Sequence, residues 1–435
     1  MEISNIEGGS GRTGCEEGEG GTQVRVGESA DSSESCKLHF HDFSLVAILM
    51  RMLFSNRKKG ELVLILDVES TSVNAILVMQ TVGERPMIRF TYSGEVIFRE
   101  GRDGGDLIEA IIRTVTTVID ETQKYIVVAK KTVPGMPGKV SSIHYVLSSP
   151  WILSESKRLE EHFSQPKKIT EAVVRSMVHK ERNILEASMK VENKVTQIEE
   201  KLFDIELNGY SVADWRGKKA LSLSVSFVTS ISGIRMTDIF KSLAKRRMRV
   251  HKIHFHSSLL LQHIGIRRLW NEKEMYVIVH VHGEITDVMT VHGEACIFFG
   301  TFPTGMQTIV RSVAKEAGVG LDTAASMVNL HTSGVIGVES QDSLDVVKSN
   351  DEHWVEQLQK SLQTMPDVFE GSMPIIVATE MQRYSFAKIL SDKFPNARVE
   401  QLSTEDMDKV IGYDPSVTRS VTASIYTLAL EGLRQ

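Results

Sequence analysis

Acidic and hydroxyl side chains are concentrated in a short turn between two apolar runs. The turn is DVESTS at residues 67–72, and the apolar runs are residues 62–66 and 73–79. An Asp at a strand end, followed by small hydroxyl residues, can present backbone N–H groups and a carboxylate to a phosphate and its magnesium ion. The same residues stabilise ordinary turns, because Asp and Ser hydrogen-bond to their own backbone. The turn is therefore a candidate phosphate site whose chemistry depends on what faces it.

A second turn of the same kind lies about 210 residues further along the chain. It is HGEITD at residues 282–287, between the apolar runs 275–281 and 288–291, and the loop FPTG at 302–305 leads from there into a predicted helix. Each half thus contains a strand, an acid-bearing turn, a second strand, a third strand and a helix. A repeated order of this kind predicts two related lobes with a cleft between them.

The remaining elements follow from apolar periodicity and turn residues. Residues 150–230 interrupt the repeated order and indicate an inserted segment. We expect Thr170 to cap its helix and Asn208-Gly209 to turn between its strands. The predicted strands are 87–98, 142–147, 202–207, 221–228 and 374–378, and the predicted helices are 106–124, 169–198, 238–249, 381–394 and 417–433.

Composition excludes several classes of protein. The 435 residues are 41% apolar and 24% charged, as in soluble globular proteins, and they suffice for two or more cores. A net charge of −6 argues against nucleic-acid binding. Three scattered cysteines argue against a disulfide framework or a zinc site, and they indicate a reducing cytoplasm. The apolar run 43–54 is too short for a transmembrane segment.

The beginning of the chain differs from the rest. Residues 1–36 are rich in Gly, Ser and Glu, and we expect a disordered N-terminal tail. Residues 37–59 form an apolar segment with a basic end, which predicts a helix that docks on the body of the protein or lies on a membrane surface. A start at Met50 or Met52 would leave the upstream residues as an extension.

These motifs resemble those of the actin-like ATPases. The turn DVEST at 67–71, the segment VIVHVHGEITDV at 277–288, the loop FPTG at 302–305 and the segment IIVATE at 375–380 follow the order of that family's phosphate and adenosine motifs. The insertion is similar to that of the cell-division protein FtsA and the pilus assembly protein PilM. The resemblance implies an α/β (α+β), two-lobed actin-like fold, a duplicated ribonuclease H-like arrangement with a small inserted α/β subdomain.

The resemblance also implies domain limits and site residues. It gives a first lobe at 60–149, an inserted subdomain at 150–235 and a second lobe at 236–435, whose terminal helix returns to the first lobe. The residues that match the family's cofactor-binding motifs are Asp67, Ser70, Thr71, Gly283, Thr286, Asp287 and Gly305.

Several family glycines are replaced. Glu69 stands for the first-turn glycine, His282 and Glu284 for two glycines of the second turn, and Met306 for a glycine of the loop, while Thr379 and Glu380 replace both adenosine-motif glycines. Glycines let backbone N–H groups approach phosphates. A carboxylate facing a phosphate charge at about 5 Å costs on the order of 3 kcal/mol at an effective dielectric of about 20. We therefore expect Glu69 and Glu284 to weaken nucleotide binding.

Histidines replace or surround the remaining acidic ligands. His280 stands for the leading Asp of the second motif, which removes an oxygen ligand for magnesium. His280 and His282 lie two apart on a strand, and with His254 and His256 they could form a metal site. Without a carboxylate or Cys of known position, they are interpreted as ordinary strand histidines, and no metal site or catalytic residue is predicted.

The functional expectation is a non-catalytic actin-like scaffold. The resemblance implies a PilM-like protein of type IV pilus assembly, on the cytoplasmic side of the inner membrane, that binds peptide segments of membrane proteins and could self-associate. The alternatives are an FtsA-like division protein, an actin-like ATPase that still binds ATP and magnesium, and a sugar-kinase relative. The FtsA alternative is weakened because no amphipathic helix follows a linker at the end of the chain. We predict no cofactor unless the nucleotide site still functions.

Overall fold

The computed structural model describes residues 60–97, 104–188, 195–270, 275–293, 295–333, 341–362, 374–378 and 386–433. The predictions for residues 1–36 and 37–59, and for Thr379 and Glu380, lie outside these residues.

Two β-sheets of the same design form the body of the protein. Their strands are β1 (Glu61–Val68), β2 (Ser72–Gln80), β3 (Met87–Glu95), β4 (Val140–Leu147), β9 (Lys252–Ser257), β10 (Met275–Val281), β11 (Thr286–His292), β12 (Ala295–Phe302), β13 (Ile375–Ala378), β14 (Val399–Gln401) and β15 (Gly412–Tyr413). The first sheet has the order β15-β3-β2-β1-β4-β9, and the second sheet has the order β12-β11-β10-β13-β14. In both, three antiparallel strands are followed by two strands in parallel pairing, and the first sheet has β15 in addition, parallel to β3. The repeated order of elements in the sequence thus corresponds to two sheets with the same strand topology.

A third sheet consists of the strands β5 (Ile152–Lys168), β6 (Val195–Leu207), β7 (Tyr210–Ser211) and β8 (Lys219–Gly233). Its order is β5-β8-β6-β7, and it is entirely antiparallel. Its core includes Trp215 and Phe227, separate from the cores of the other sheets. We call it the inserted sheet, because its strands interrupt the first sheet between β4 and β9.

Each face of a sheet is covered by its own set of helices, and alternate residues along a strand contact different sets. Successive side chains of a strand point to opposite faces. In β1, Leu62 and Leu64 contact one helix layer, whereas Val63 and Ile65 contact another. The helices are α1 (Gly104–Thr132), α2 (Glu171–Ser188), α3 (Ile234–Leu243), α4 (Ser258–Leu269), α5 (Met306–Ala317), α6 (Leu321–Ser333), α7 (Gln341–Leu362), α8 (Phe386–Lys393), α9 (Thr404–Asp408) and α10 (Val421–Gly432).

Helices α4 and α10 lie between the first and second sheets. Residues of both helices share one apolar cluster with Val63 and Ile65 of the first sheet and another with Tyr276 and Ile278 of the second. The two helices approach closely at Gly265, where a Cβ would lie 2.5 Å from a backbone carbonyl oxygen of α10. The first sheet is covered on its other face by α1 and α3, and the second by α5, α6, α7 and α8.

The alternation of side chains also determines which way the polar residues at the ends of β1 and β10 point. Asp67 continues the side of β1 that carries Val63 and Ile65, and His280 continues the side of β10 that carries Tyr276 and Ile278. Both residues therefore face the layer that contains α4 and α10. This arrangement brings the ends of the two hairpins together.

Several element predictions need correction. The predicted helix 169–198 ends at Ser188, and residues 195–198 begin β6. The helix predicted at 238–249 begins at Ile234 and continues as a π-helical turn, Ala244–Met248. The strand Lys252–Ser257 follows the predicted boundary at 236 but pairs in parallel with β4, so it belongs to the first sheet. The expected cap and turn are present, since Thr170 Oγ1 accepts from Val173 N at 3.4 Å and Asn208 has a positive φ.

Candidate functional site

The two acid-bearing turns are in direct contact. A Cβ added to Gly283 would lie 2.7 Å from Thr71 Cβ and closer to Thr71 Oγ1, so the first turn packs on the bare backbone of the second. Gly305 packs on the second turn in the same way, since its Cβ would lie 2.5 Å from the His282 carbonyl oxygen. The matched residues Thr71, Gly283 and Gly305 are thus brought together, but as packing contacts between loops.

A buried ionic cluster joins the two turns. His282 Nε2 lies 3.1 Å from Asp287 Oδ2, and His282 Nδ1 lies 3.4 Å from Glu69 Oε1. The second contact is within ion-pair distance but outside hydrogen-bond geometry, so Nδ1 has no hydrogen-bond partner among the described residues. Glu69, His282 and Asp287 are 8%, 2% and 3% exposed. We call these three residues the turn cluster.

The environment of the turn cluster fixes its charges. Burial lowers the pKa of His282, but the hydrogen bond to Asp287 and the contact with Glu69 raise this pKa to about 10. Burial raises the pKa of Asp287, but the hydrogen bond and charge of His282 lower it to about 2. At neutral pH an imidazolium therefore lies between the carboxylates of the two turns.

Asp287 is held by groups from three parts of the chain. Besides His282, Thr301 Oγ1 donates to Asp287 Oδ1 at 2.6 Å, and the backbone N–H of Ser149 donates to Asp287 Oδ2 at 3.2 Å. Both carboxylate oxygens accept from the protein itself. A carboxylate with this many donors is anchored in place.

His280 occupies a second polar group behind the turns. Its Nδ1 lies 3.2 Å from Ser258 Oγ and 2.5 Å from Gln262 Nε2, both on α4. Ser258 Oγ also lies 2.8 Å from Tyr426 Oη on α10. Burial, and then the charge of His282, lowers the pKa of His280, so His280 is neutral at neutral pH. The residue that replaces the family's Asp therefore connects the second sheet to the central helices.

The N-terminus of α5 is also used internally. Free N–H groups at a helix N-terminus commonly bind phosphates. Here Met306 N donates to the His282 carbonyl at 2.9 Å, and Gln307 N donates to the Gly283 carbonyl at 2.6 Å. The second turn itself satisfies these donors, and the loop 302–305 is held against it.

Glu284 is bound by two residues of α5. Arg311 Nη1 donates to Glu284 Oε1 at 2.7 Å, Arg311 Nη2 pairs with Glu284 Oε2, and Thr308 Oγ1 donates to Oε2 at 3.2 Å. Each of the two glutamates lies beside a cation: Arg311 pairs with Glu284, and His282 is shared between Glu69 and Asp287. The cost of repulsion worked out from the sequence does not include these cations, and the expectation that Glu69 and Glu284 weaken nucleotide binding stays a prediction.

The other matched residues have structural contacts. Thr286 Oγ1 donates to the Thr304 carbonyl at 2.6 Å and accepts from Trp354 Nε1 at 3.0 Å. Asp67 is 1% exposed and accepts from Asn74 Nδ2 at 3.4 Å. Ser70 is buried, and its hydroxyl has no hydrogen-bond partner within the described part of the chain.

Nucleotide phosphates do not fit between the turns in this arrangement. Thr71 lies against the glycine that a phosphate would have to approach, and the N–H groups of Met306 and Gln307 already have acceptors. His280 adds a nitrogen that prefers softer metals to magnesium. The turns are thus built as an interface between the first and second sheets.

Sequence reasoning missed the residues that complete this interface. Trp151 Nε1 donates to the Glu69 carbonyl at 3.0 Å, and Trp354, Thr301 and Arg311 contact the second turn as described. None of these residues lies within a recognisable motif. The presence of only four tryptophans is a weak signal, since two of them contact the two turns.

Among the cavities between the described residues, one borders the turn cluster and one lies between the first and second sheets. One of about 250 Å³ is lined by Ser149, Ser258, Asp287 and Thr301, among others, and therefore borders the turn cluster. The other, of about 960 Å³, lies between strands β2 and β3 of the first sheet and the segments 401–405 and 418–421. We call the larger one the inter-sheet groove.

The described helices include none with the length and apolar character that a membrane span requires. This finding concerns only the described part of the chain.

Comparisons with known proteins identify the fold. No protein-family model and no curated protein sequence matches the chain. A chain of the solved PilM–PilN type IV pilus biogenesis complex is similar with a TM-score of 0.60 and 11% identity, over 85% of this chain and 98% of that one. Weaker likenesses are diol dehydratase-reactivating factor in nucleotide-free form (TM-score 0.46, 8% identity, 86% and 100% covered) and MreB5 of Spiroplasma citri bound to ADP (TM-score 0.43, 9% identity, 86% and 97% covered).

The duplicated sheets and the similarity to the PilM–PilN chain agree with the motif order in the sequence. The chain therefore has the α/β fold of the actin-like ATPases.

Proposed function

We propose that this protein is a non-catalytic, PilM-like adaptor that binds peptide segments of membrane proteins at the cytoplasmic face of a membrane-associated assembly. The observation that carries the proposal is the contact between the two turns. Thr71 packs on Gly283, and His282 lies between Glu69 and Asp287. The positions that hold phosphates in working relatives are used here to join the sheets.

The loss of nucleotide chemistry follows from this contact. Admitting a phosphate would require the two turns to separate and the buried imidazolium to leave two carboxylates behind. Breaking a buried ion pair costs about 3–5 kcal/mol. The matched residues Asp67, Ser70, Thr71, Gly283, Thr286, Asp287 and Gly305 act in this proposal as structural remnants of a nucleotide site.

The inter-sheet groove is the surface proposed for the partner peptide. Its volume of about 960 Å³ lies in the range of ligand sites. Hydroxyl side chains line part of it, among them Thr91, Ser93 and Thr418. Such side chains can satisfy the N–H and C=O groups of an extended peptide. The PilM–PilN complex supports the partner class, because that protein of similar fold assembles with a second pilus biogenesis protein.

The test is a titration with synthetic peptides that correspond to the cytoplasmic segments of membrane proteins encoded beside this gene. We expect one segment to bind the full chain and its affinity to fall at least about tenfold in Ser93→Arg, because an arginine fills the groove. Ser391→Arg is the matched control, since Ser391 is an exposed serine on α8, away from the groove. Pilus-assembly segments that bind support the PilM-like role, and division segments that bind instead replace it by the FtsA-like role. Equal affinity in Ser93→Arg and Ser391→Arg rejects the groove.

A further inference from the structure

His280 lies beside the turn cluster and adds a second imidazole to it. One ring nitrogen of His280, one of His282 and a carboxylate oxygen of Glu69 all lie within 4.8 Å of one another. His280 is 1% exposed, and the rings of His280 and His282 have centroids 3.9 Å apart. Two imidazoles and a carboxylate converge on one buried point.

We propose that Glu69, His280 and His282 form a binding site for a zinc-class divalent metal ion that ties the first turn to the second sheet. Two histidines and a glutamate are an established ligand set for zinc, with a fourth position left for water. The site is independent of the proposed adaptor role and is assigned by these three side chains alone.

The distance between the ligand atoms of Glu69 and His282 suits a tetrahedral metal ion. Zinc bonds of about 2.1 Å at tetrahedral angles place two ligand atoms about 3.4 Å apart. Glu69 Oε1 and His282 Nδ1 are 3.4 Å apart. His282 Nδ1 is also the buried nitrogen without a hydrogen-bond partner among the described residues, and a metal ion would supply that partner.

The groups behind each histidine hold it as metal ligands are usually held. Metal-bound histidines donate their other ring N–H to a carboxylate, carbonyl or similar acceptor. His282 Nε2 faces Asp287 Oδ2 at 3.1 Å, which leaves Nδ1 directed toward Glu69. Asp287 is in turn anchored by Thr301 and Ser149.

His280 has an equivalent support. Its Nδ1 contacts Ser258 and Gln262, which leaves Nε2 as the nitrogen available to a metal. Gln262 can present either its amide nitrogen or its amide oxygen to Nδ1, because the two orientations have the same shape. Gln262 Oε1 is buried without a hydrogen-bond partner among the described residues when the nitrogen faces Nδ1. Turning the amide lets this oxygen accept from Nδ1–H and leaves a lone pair on Nε2.

Two carboxylates, those of Glu69 and Asp287, lie in this buried region and face opposite ring nitrogens of His282. Imidazole ligands favour zinc, copper, iron or nickel over magnesium. The cavity of about 250 Å³ borders Ser258 and Asp287, the residues that contact His280 and His282.

The experiment measures metal binding by the full chain after treatment with EDTA and dialysis. Isothermal titration calorimetry with Zn²⁺ should give one site per chain, and Co²⁺ should give the visible absorption of a four-coordinate site. Mg²⁺ should not compete. We expect His280→Gln and Glu69→Gln each to weaken zinc binding by about 100-fold or more.

The control is His254→Gln. His254 stacks on His144 and His256 on the first sheet, so it monitors metal binding by other histidines. It should bind zinc like the wild type. Circular dichroism identifies a variant that fails to fold, and Glu69→Gln, which keeps the side-chain shape, then carries the test. Three results overturn the proposal: no zinc site in the wild type, wild-type affinity in the folded ligand variants, or loss of the site in His254→Gln.

Discussion

Replacing His282 by glutamine removes the only cation of the turn cluster and should change how stability depends on pH. The pKa of His282 is about 10 in the folded chain, against an ordinary value of 6.5. A raised pKa stabilises the fold fully below pH 6.5, and this contribution is lost as the pH rises toward 10. The difference corresponds to roughly 5 kcal/mol in total and to about 1.4 kcal/mol per pH unit within that window.

The low pKa of Asp287 acts at the other end of the pH scale. Because its folded pKa is about 2 and its ordinary value is 3.8, its contribution is present above pH 3.8 and is lost as the pH falls toward 2. Both contributions are therefore complete between about pH 4 and 6.5. The comparison of interest is between about pH 6 and pH 8.5, where only the His282 contribution of the pair should change, by about 3 kcal/mol.

The assay is urea unfolding followed by tryptophan fluorescence, with EDTA present. Trp151 contacts the first turn and Trp354 the second, so the emission reports on the interface. The wild type should lose about 3 kcal/mol more than His282→Gln between the two pH values. At pH 6 the variant should be about 3–5 kcal/mol less stable, because two buried carboxylates lose their cation. Ser391→Arg, an exposed substitution away from the interface, should keep the wild-type slope.

An equal pH slope for the wild type and His282→Gln would refute the reasoning. It would mean that the imidazolium is not bound between the two turns. Should His282→Gln fail to fold, Glu69→Gln provides the comparison. Removing one carboxylate lowers the folded pKa of His282, so the stabilisation by His282 is lost at a lower pH. A pH dependence of stability that is unchanged in Glu69→Gln contradicts the pairing of Glu69 with His282 in the same way.

Two further variants test other contacts of the interface. Gly283→Ala should destabilise the chain by about 1–3 kcal/mol, because its Cβ would overlap Thr71. Adding Thr71→Gly should restore part of this loss in thermal melts. Melts that show no recovery would place the strain elsewhere. Arg311→Gln should cost less than about 1 kcal/mol, since the Arg311 and Glu284 side chains are 39% and 33% exposed, and melts at low and high salt should show a smaller cost at high salt. A large cost that does not depend on salt would contradict the second prediction.

The repeated sheets could be predicted because local patterns encode them. Each hairpin has two branched apolar runs around a polar turn, and each is followed by a helix with regular apolar spacing. The sequence does not predict the strand Ile152–Lys168, because seven of its 17 residues are charged and none of its residues is buried. Its β-structure depends on pairing with β8, which lies about 60 residues later. The start of β6 was assigned to a helix for the same reason.

The residue types of the candidate site could be predicted, but their contacts could not. The replacement of family glycines by Glu69, His282 and Glu284 is visible in the sequence. The pairing of Glu69 with His282 joins turns in different halves of the chain, and the pairing of Glu284 with Arg311 depends on how α5 packs. Charge counting therefore predicts repulsion, whereas the fold places a cation beside each of the two glutamates, with His282 shared between Glu69 and Asp287.

The most direct test of the account is a calorimetric titration of the full chain with ATP and magnesium. Because Thr71 packs on Gly283 and His282 is bound between Glu69 and Asp287, we predict no saturable binding at nucleotide concentrations up to about 1 mM. Binding at about micromolar concentration or tighter would show that the turns open readily and would contradict the account.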